Sequence, residues 1–186
     1  MKRGSVTKGT VLLAQPFMED SNFGRAAVLI TDHHETEGTV GFILNKRLNT
    51  KINTLIDDFP EIDAEVYVGG PVAHDTLHYI HDRGDILDNS IPVIDGVYWG
   101  GDYEKLKFLI ESKLIESHNV KFFLGYSGWS AGQLDDELEY GSWMITQMDA
   151  NYAFKKRSGE LWKMITRNKG GHYTVIAEMP KSNLLN

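Results

Sequence analysis

Gly128-Trp129-Ser130-Ala131-Gly132 has the G-x-S-x-G spacing of a nucleophile elbow. In such a turn, between a strand and a helix, a serine hydroxyl attacks an acyl carbon once a histidine takes its proton. The apolar run Val120–Leu124 and the acidic run from Gln133 supply a strand and a helix on either side. In α/β-hydrolase order the base follows the serine. His172 is the histidine that does so, with Asp135, Asp136 or Asp149 as its acid. The chain is short for that fold and lacks its parallel strand pattern. The same residues fit a second reading. Ser130 and Gln133 have the S-x-x-Q spacing of a capping box, with the Ser130 hydroxyl accepting from the Gln133 N–H and the Gln133 side chain bonding back to the Ser130 N–H. Gly125, Gly128 and Gly132 would then shape a turn, Tyr126 and Trp129 would plug it onto the core, and Asp135, Asp136 and Glu137 would sit near the positive helix end. The cap accounts for more residues than the nucleophile does.

His74, His78 and His81 recur at i, i+4 and i+7. On a helix started by Gly70-Pro71 they would share a face and could hold a transition metal. On a strand His78 and His81 would point to opposite faces. His33-His34-Glu35 sits between two strand-like runs and reads as an exposed hairpin loop. Gly69-Gly70-Pro71 offers backbone N–H groups to an anion or forms an ordinary turn, and no Gly-Lys-Ser/Thr follows to make a Walker loop. Asp20, Asn22, Phe23, Arg25 and His34 form an early polar group, and Asn45 ends an apolar strand, where it can cap a turn or meet a ligand. Residues 155–169 hold Lys155, Lys156, Arg157, Lys163, Arg167 and Lys169 against the lone acid Glu160. A run of this kind either meets phosphates or is a solvated helix face, and the second is favoured.

The elements that must position these groups are short. Strand-like runs cover Thr10–Ala14, Ala26–Thr31, Thr39–Leu44, Glu65–Val68, Leu77–His81, Ser90–Ile94, Val97–Trp99, Val120–Leu124, Trp143–Thr146 and Tyr173–Ala177. Each is rich in β-branched or aromatic residues and bounded by turn formers. Helices are expected from Asp102 to about Glu116, from Gln133 to Tyr140 and from Gly159 to Asn168, with a weaker candidate at Ile52–Phe59. Strands crowd the first half and helices the second. That order predicts an α+β domain spanning 1–186, with a mixed, largely antiparallel, curved sheet and about three or four flanking helices.

Composition narrows the function. The 186 residues contain no cysteine, which removes disulfides, thiol catalysis and Cys-ligated zinc and fits a cytoplasmic setting. Val11 to Ala14 is too short an apolar stretch for a signal core or a membrane span. A net charge of −7 predicts at best weak, salt-sensitive contact with nucleic acid, through Lys155, Lys156 and Arg157.

"LGYSGWSAGQLDDELEYGSW" resembles the signature of the YqgE/AlgH family of bacterial proteins through Gly125, Tyr126, Trp129, Gly132, Gln133, Leu134, Glu137, Leu138 and Trp143. Residues 9–48 resemble the family's opening block at Pro16, Phe23, Arg25, His34, Gly38, Gly41 and Asn45. "YVGGPVAHDTLHYIH" resembles a third block at Gly69, Gly70, Pro71 and His81. The resemblance implies an α+β domain with a curved sheet. The family is largely uncharacterised, and its members are often labelled transcriptional regulators. Its pattern does not require a serine at position 130. The expectation is therefore a binding or regulatory protein with no assigned catalytic residue, metal or cofactor. Its partner would be an unknown small ligand or protein. The polar members of the three blocks, Arg25, His34, Asn45, Gly69, Gly70, Tyr126, Trp129 and Gln133, are the candidate ligand-binding residues. They are expected to converge on one concave patch.

Overall fold

The computed structural model describes residues 5–154 and 158–181. Its strands are β1 (Thr10–Ala14), β2 (Ala27–His34), β3 (Gly38–Ile43), β4 (Arg47–Lys51), β5 (Glu65–Val68), β6 (Val72–His81), β7 (Ile91–Ile94), β8 (Val97–Trp99), β9 (Val120–Trp129) and β10 (Trp143–Gln147). Six short helices accompany them among the described residues: α1 (Ile52–Leu55), α2 (Tyr103–Glu111), α3 (Gln133–Glu139), α4 (Ala150–Ala153), α5 (Leu161–Asn168) and α6 (Tyr173–Glu178). The sheet runs β10-β1-β2-β3-β9-β6-β8-β7, with β5 branching from β9 and β4 beyond it. The β5–β9 pair is parallel and the other pairs are antiparallel. This is the curled α+β sheet expected, with more and shorter helices. No helix among the described residues is long and apolar enough to cross a membrane.

The glycine-rich stretch after Leu124 is not a turn. It continues β9 to Trp129, and β9 changes partners along its length. Residues 122–124 lie between β5 and β6, whereas Ser127, Gly128 and Trp129 pair with β3. The exchange happens where Gly69-Gly70 crosses Gly125-Tyr126. A Cβ on Gly69 would stand 2.2 Å from the Gly125 carbonyl oxygen, and one on Gly70 would stand 2.3 Å from Tyr126 backbone. Only glycine permits that approach. The Gly69 N–H donates to the Leu124 carbonyl (2.8 Å). Its own carbonyl accepts from the Ile43 N–H (2.8 Å) and the buried Ser127 hydroxyl (3.0 Å).

Tyr173–Ala177, β-like by composition, is helix α6. No strand among the described residues pairs with it. It packs on α5 and buries Ala177, and Glu178 at its end pairs with Lys163 and Arg167 of α5. Strand preference is worth about 1 kcal/mol at most and yields to such packing. Helix α2 starts as expected, with the Asp102 carboxylate accepting from the Lys105 N–H (2.8 Å). It stops at Glu111 because Lys113 adopts a left-handed backbone (φ 59°). The weak candidate at Ile52–Phe59 keeps only the single turn α1.

The capping box forms by half. The Ser130 N–H donates to Gln133 Oε1 (3.0 Å), but the Gln133 N–H bonds the Ser130 carbonyl (3.1 Å) and the residue before the helix is left-handed Gly132 (φ 77°). The Ser130 hydroxyl donates to Gln133 Oε1 instead (3.2 Å). What fixes α3 is Glu137. One of its oxygens accepts both the Trp129 indole N–H (3.0 Å) and the Trp143 indole N–H (2.7 Å), and the other accepts from Gln133 (3.0 Å). Phe23 meets Trp143 edge-on and lies beside Trp129, closing an aromatic cluster under the helix.

His81 is buried and locked. Its Nδ1 accepts from the Arg83 N–H (3.1 Å), so the proton sits on Nε2 and is donated to the Gly100 carbonyl (2.8 Å). Burial holds its pKa below the usual value, outweighing the Gly100 carbonyl and the charges of Asp82 and Asp85, which push the other way.

Glu137→Ala strands two buried indole donors. It is expected to lose about 3–6 kcal/mol, at roughly 1.5–3 kcal/mol for each of the two bonds to a charged acceptor, whereas Ser130→Ala changes stability by less than about 0.5 kcal/mol. Urea unfolding measures both, and equal small losses would show that the indoles find other partners. Burial also lowers the pKa of His78. Both imidazoles are thus neutral in the fold, and their contribution is intact above about pH 6.5, the unfolded value. It is lost as the pH falls through the lower folded value. Wild type is therefore expected to weaken as the pH falls below about 6.5. His81→Gln should show a shallower slope even if it starts less stable, and a parallel slope would clear His81 of the effect.

Candidate functional site

Between the tip of the β2–β3 hairpin and the distal half of β9 lies an open hollow of about 480 Å³, bordered by Asp32, His34, Glu37, Val72, Tyr126 and Trp129. Register builds it. Strands β2 and β3 pair out to His34 opposite Gly38, and Thr39 pairs with Trp129. Gly38 lets the hairpin abut β9, since a Cβ there would stand 2.3 Å from the Trp129 carbonyl oxygen. On the far wall, β6 slips register between Val72 and Leu77, so exposed His74 and Asp75 bulge away and Val72 stays opposite Tyr126. The Tyr126 ring meets the half-buried His78 ring edge-on (5.8 Å), and His78 in turn rests on Phe42 (5.2 Å). Asp32 faces both His34 Nε2 (3.5 Å) and Lys8 Nζ (3.9 Å). The hollow therefore combines two carboxylates, a histidine and a tyrosine ring. Such a lining suits a cation with an apolar body.

Of the eight residues singled out in the sequence, His34, Tyr126 and Trp129 border this hollow. Gly69 and Gly70 lie behind it as the backbone crossing that carries Tyr126. Gln133 is spent on Ser130 and Glu137. Arg25 and Asn45 belong elsewhere. Asn45 accepts from the Ala27 N–H (2.9 Å) and donates to the Arg25 carbonyl (2.9 Å), tying down the start of β2. Arg25, left-handed at φ 53°, lays its guanidinium over Trp162 (4.8 Å) and donates to the Met179 carbonyl, leaving Nε buried with no hydrogen-bond partner. Arg25 and His34 thus flank opposite ends of β2, roughly 25–30 Å apart at about 3.3 Å per residue. Asp32 and Glu37 escaped the sequence reading. Their signal was the polar run Asp32-His33-His34-Glu35-Thr36-Glu37, whose strand portion is longer than its composition suggests.

The catalytic alternatives lack their geometry. Among the described residues Ser130 has no histidine partner: its hydroxyl is bonded to Gln133, while His172 stacks on Tyr173 (4.1 Å). The three histidines of β6 form no metal cluster among the described residues, because the segment is a strand and His81 has both ring nitrogens engaged. Lys155, Lys156 and Arg157 lie outside the described residues. The rest of that basic run is occupied. Lys163 (2.6 Å) and Arg167 both pair with Glu178, and Lys169 donates to the Ile145 carbonyl (2.6 Å).

Comparison with known proteins agrees with the fold. Residues 11–174 match the family model DUF179, described as AlgH-like. A UPF0301 protein of Chlorobaculum tepidum is 44% identical over 173 residues, covering 93% of this chain and 92% of that one. A UPF0301 protein of Cytophaga hutchinsonii is 39% identical over 183 residues, covering 97% and 100%. The solution structure of the AlgH protein from Pseudomonas aeruginosa superposes with a TM-score of 0.72 at 25% identity, over 97% of this chain and 98% of that one. A crystal structure of a Corynebacterium diphtheriae protein shares the fold, with a TM-score of 0.82 at 21% identity over 96% and 95% of the two chains. With the family model spanning most of its length and relatives this similar over nearly all of theirs, the chain belongs to the YqgE/AlgH, or AlgH-like, family.

Proposed function

We propose that the protein acts by binding rather than by turnover, and that its partner presents an alkylammonium group to the hollow beside Tyr126. The observation that carries this reading is the lining itself: Asp32, Glu37 and Tyr126 border one space of about 480 Å³. A carboxylate pair attracts the charge, and an aromatic face adds about 0.5–2 kcal/mol for a cation placed over it. The ammonium could belong to a small organic amine or to a lysine of a protein. The net charge of −7 supports a cationic partner over a phosphate backbone. The absence of cysteine supports a cytoplasmic setting. A regulatory role, as the family label suggests, would be exercised through this contact.

Spermidine and a lysine-rich peptide serve as probes, followed by calorimetry at low and physiological salt. Tyr126→Ala is expected to weaken binding by about 2- to 30-fold, the range that a cation–π contact represents. Asp32→Asn with Glu37→Gln should weaken it further and flatten its salt dependence. Binding that survives the double carboxylate variant unchanged would refute the reading.

A further inference from the structure

Val120-Lys121-Phe122-Phe123 places a lysine inside the sheet's central strand. Alternation along β9 turns it to the same face as Phe123, and the residue is only 5% exposed. Its Nζ donates to the Leu44 carbonyl (3.0 Å) and stands 4.2 Å from the centre of the Tyr67 ring. An ammonium brings three N–H donors and no lone pair. One carbonyl and one ring face do not satisfy three donors, but they suffice for a neutral amine. No carboxylate among the described residues bonds Lys121: Glu65 pairs with Arg47, and Asp63 with Lys51 (2.8 Å). Burial, with the Arg47 charge second, brings the Lys121 pKa from 10.5 down to about 7. The amine borders a hollow of about 130 Å³ whose lining includes Arg47, Glu65, Tyr67, Ser117 and Phe154. This hollow has room for a ligand of a few heavy atoms. It lies five residues up β9 from Tyr126, roughly 17 Å at about 3.3 Å per residue, and is independent of the ammonium site.

We propose that Lys121 is a nucleophilic amine that condenses with a small carbonyl compound bearing an acid group, such as a 2-oxo acid, in the hollow beside Arg47. The Nζ lone pair attacks the carbonyl carbon and the C–N bond forms. The C–O bond of the resulting carbinolamine then breaks. The oxygen leaves as water with the two protons that the nitrogen gives up, and an imine remains. No electrons are exchanged. Arg47 has five N–H donors in a planar fork, enough to keep Glu65 and take the ligand's carboxylate. Lysines desolvated beside another cation are activated for this chemistry. The result is covalent capture, which needs no catalytic base.

Glyoxylate with cyanoborohydride traps such an imine, and peptide mass mapping locates it. At pH 7.5 Lys121 is expected to be labelled at least about tenfold faster than exposed Lys113, because roughly half or more of it is unprotonated while ordinary lysines are almost wholly charged. Its rate should saturate with glyoxylate and reach half its plateau near pH 7, where surface lysines are still rising. Lys121→Arg should abolish the fast phase. Arg47→Ala should slow labelling by glyoxylate more than by formaldehyde, which has no acid group. If Lys121→Arg does not fold, the pH profile of the wild-type protein decides the matter. An unlabelled Lys121, or one with the pH profile of surface lysines, overturns the proposal. Equal effects of Arg47→Ala on the two aldehydes overturn the acid-binding part.

Discussion

Two backbones can run within hydrogen-bond reach of each other across a junction only where no side chain stands between them. In this protein that condition is met where Gly69-Gly70 passes over Gly125-Tyr126. The crossing joins the β5/β6 half of the sheet to the β1–β3 half through a single strand, β9. The bonds that hold it are mutual, since Gly69 serves Leu124, Ile43 and the Ser127 hydroxyl at once. A Cβ at Gly69 or Gly70 would meet backbone, which cannot swing aside as a side chain can. The direction of β9 beyond the crossing, and with it the position of Tyr126 and Trp129, depends on that contact.

The same strand carries two different polar settings at its two ends. Near its start it carries an amine whose burial disfavours its charged form. Past the crossing it carries a tyrosine in a hollow that Asp32 and Glu37 also border. Electrostatics keep the ends distinct. The cation that stands at the acidic hollow is Lys8, beside Asp32, whereas Lys163 and Arg167 brace α6 through Glu178 and Lys169 bonds the middle of β10. What reads in sequence as a basic surface is, in its described part, the fastening of the last two helices.

The aromatic signature has a similar explanation. Trp129, Gln133, Glu137 and Trp143 are fixed by one carboxylate that takes two indole protons and an amide. A buried indole N–H without an acceptor is costly, so the four residues form one structural unit. That unit holds α3 against the strand wall of the hollow. It needs nothing from the Ser130 hydroxyl, which is why a G-x-S-x-G spacing occurs here without a hydrolase.

Local pattern alone determined the strand-rich first half, the Asp102 cap of α2, the helix at Gln133 and the α+β class, because turn formers and hydrophobic period act over a few residues. The family was legible in the same way, from glycines and tryptophans at fixed spacing. Tertiary structure decided the rest. It extended β9 through a glycine-rich segment that resembles a turn in isolation, and made Tyr173–Glu178 a helix by giving it α5 to pack on rather than a strand. It also tied Asn45 to the Ala27 N–H and the Arg25 carbonyl. Separation along β2 put Arg25 and His34 at opposite ends, whereas strand pairing brought His34, Tyr126 and Trp129 from distant parts of the chain to one hollow. Lys121 shows the division most plainly. Its type and its apolar neighbours are visible in sequence, but its chemistry depends on how few acceptors surround it, and only the folded chain sets that number.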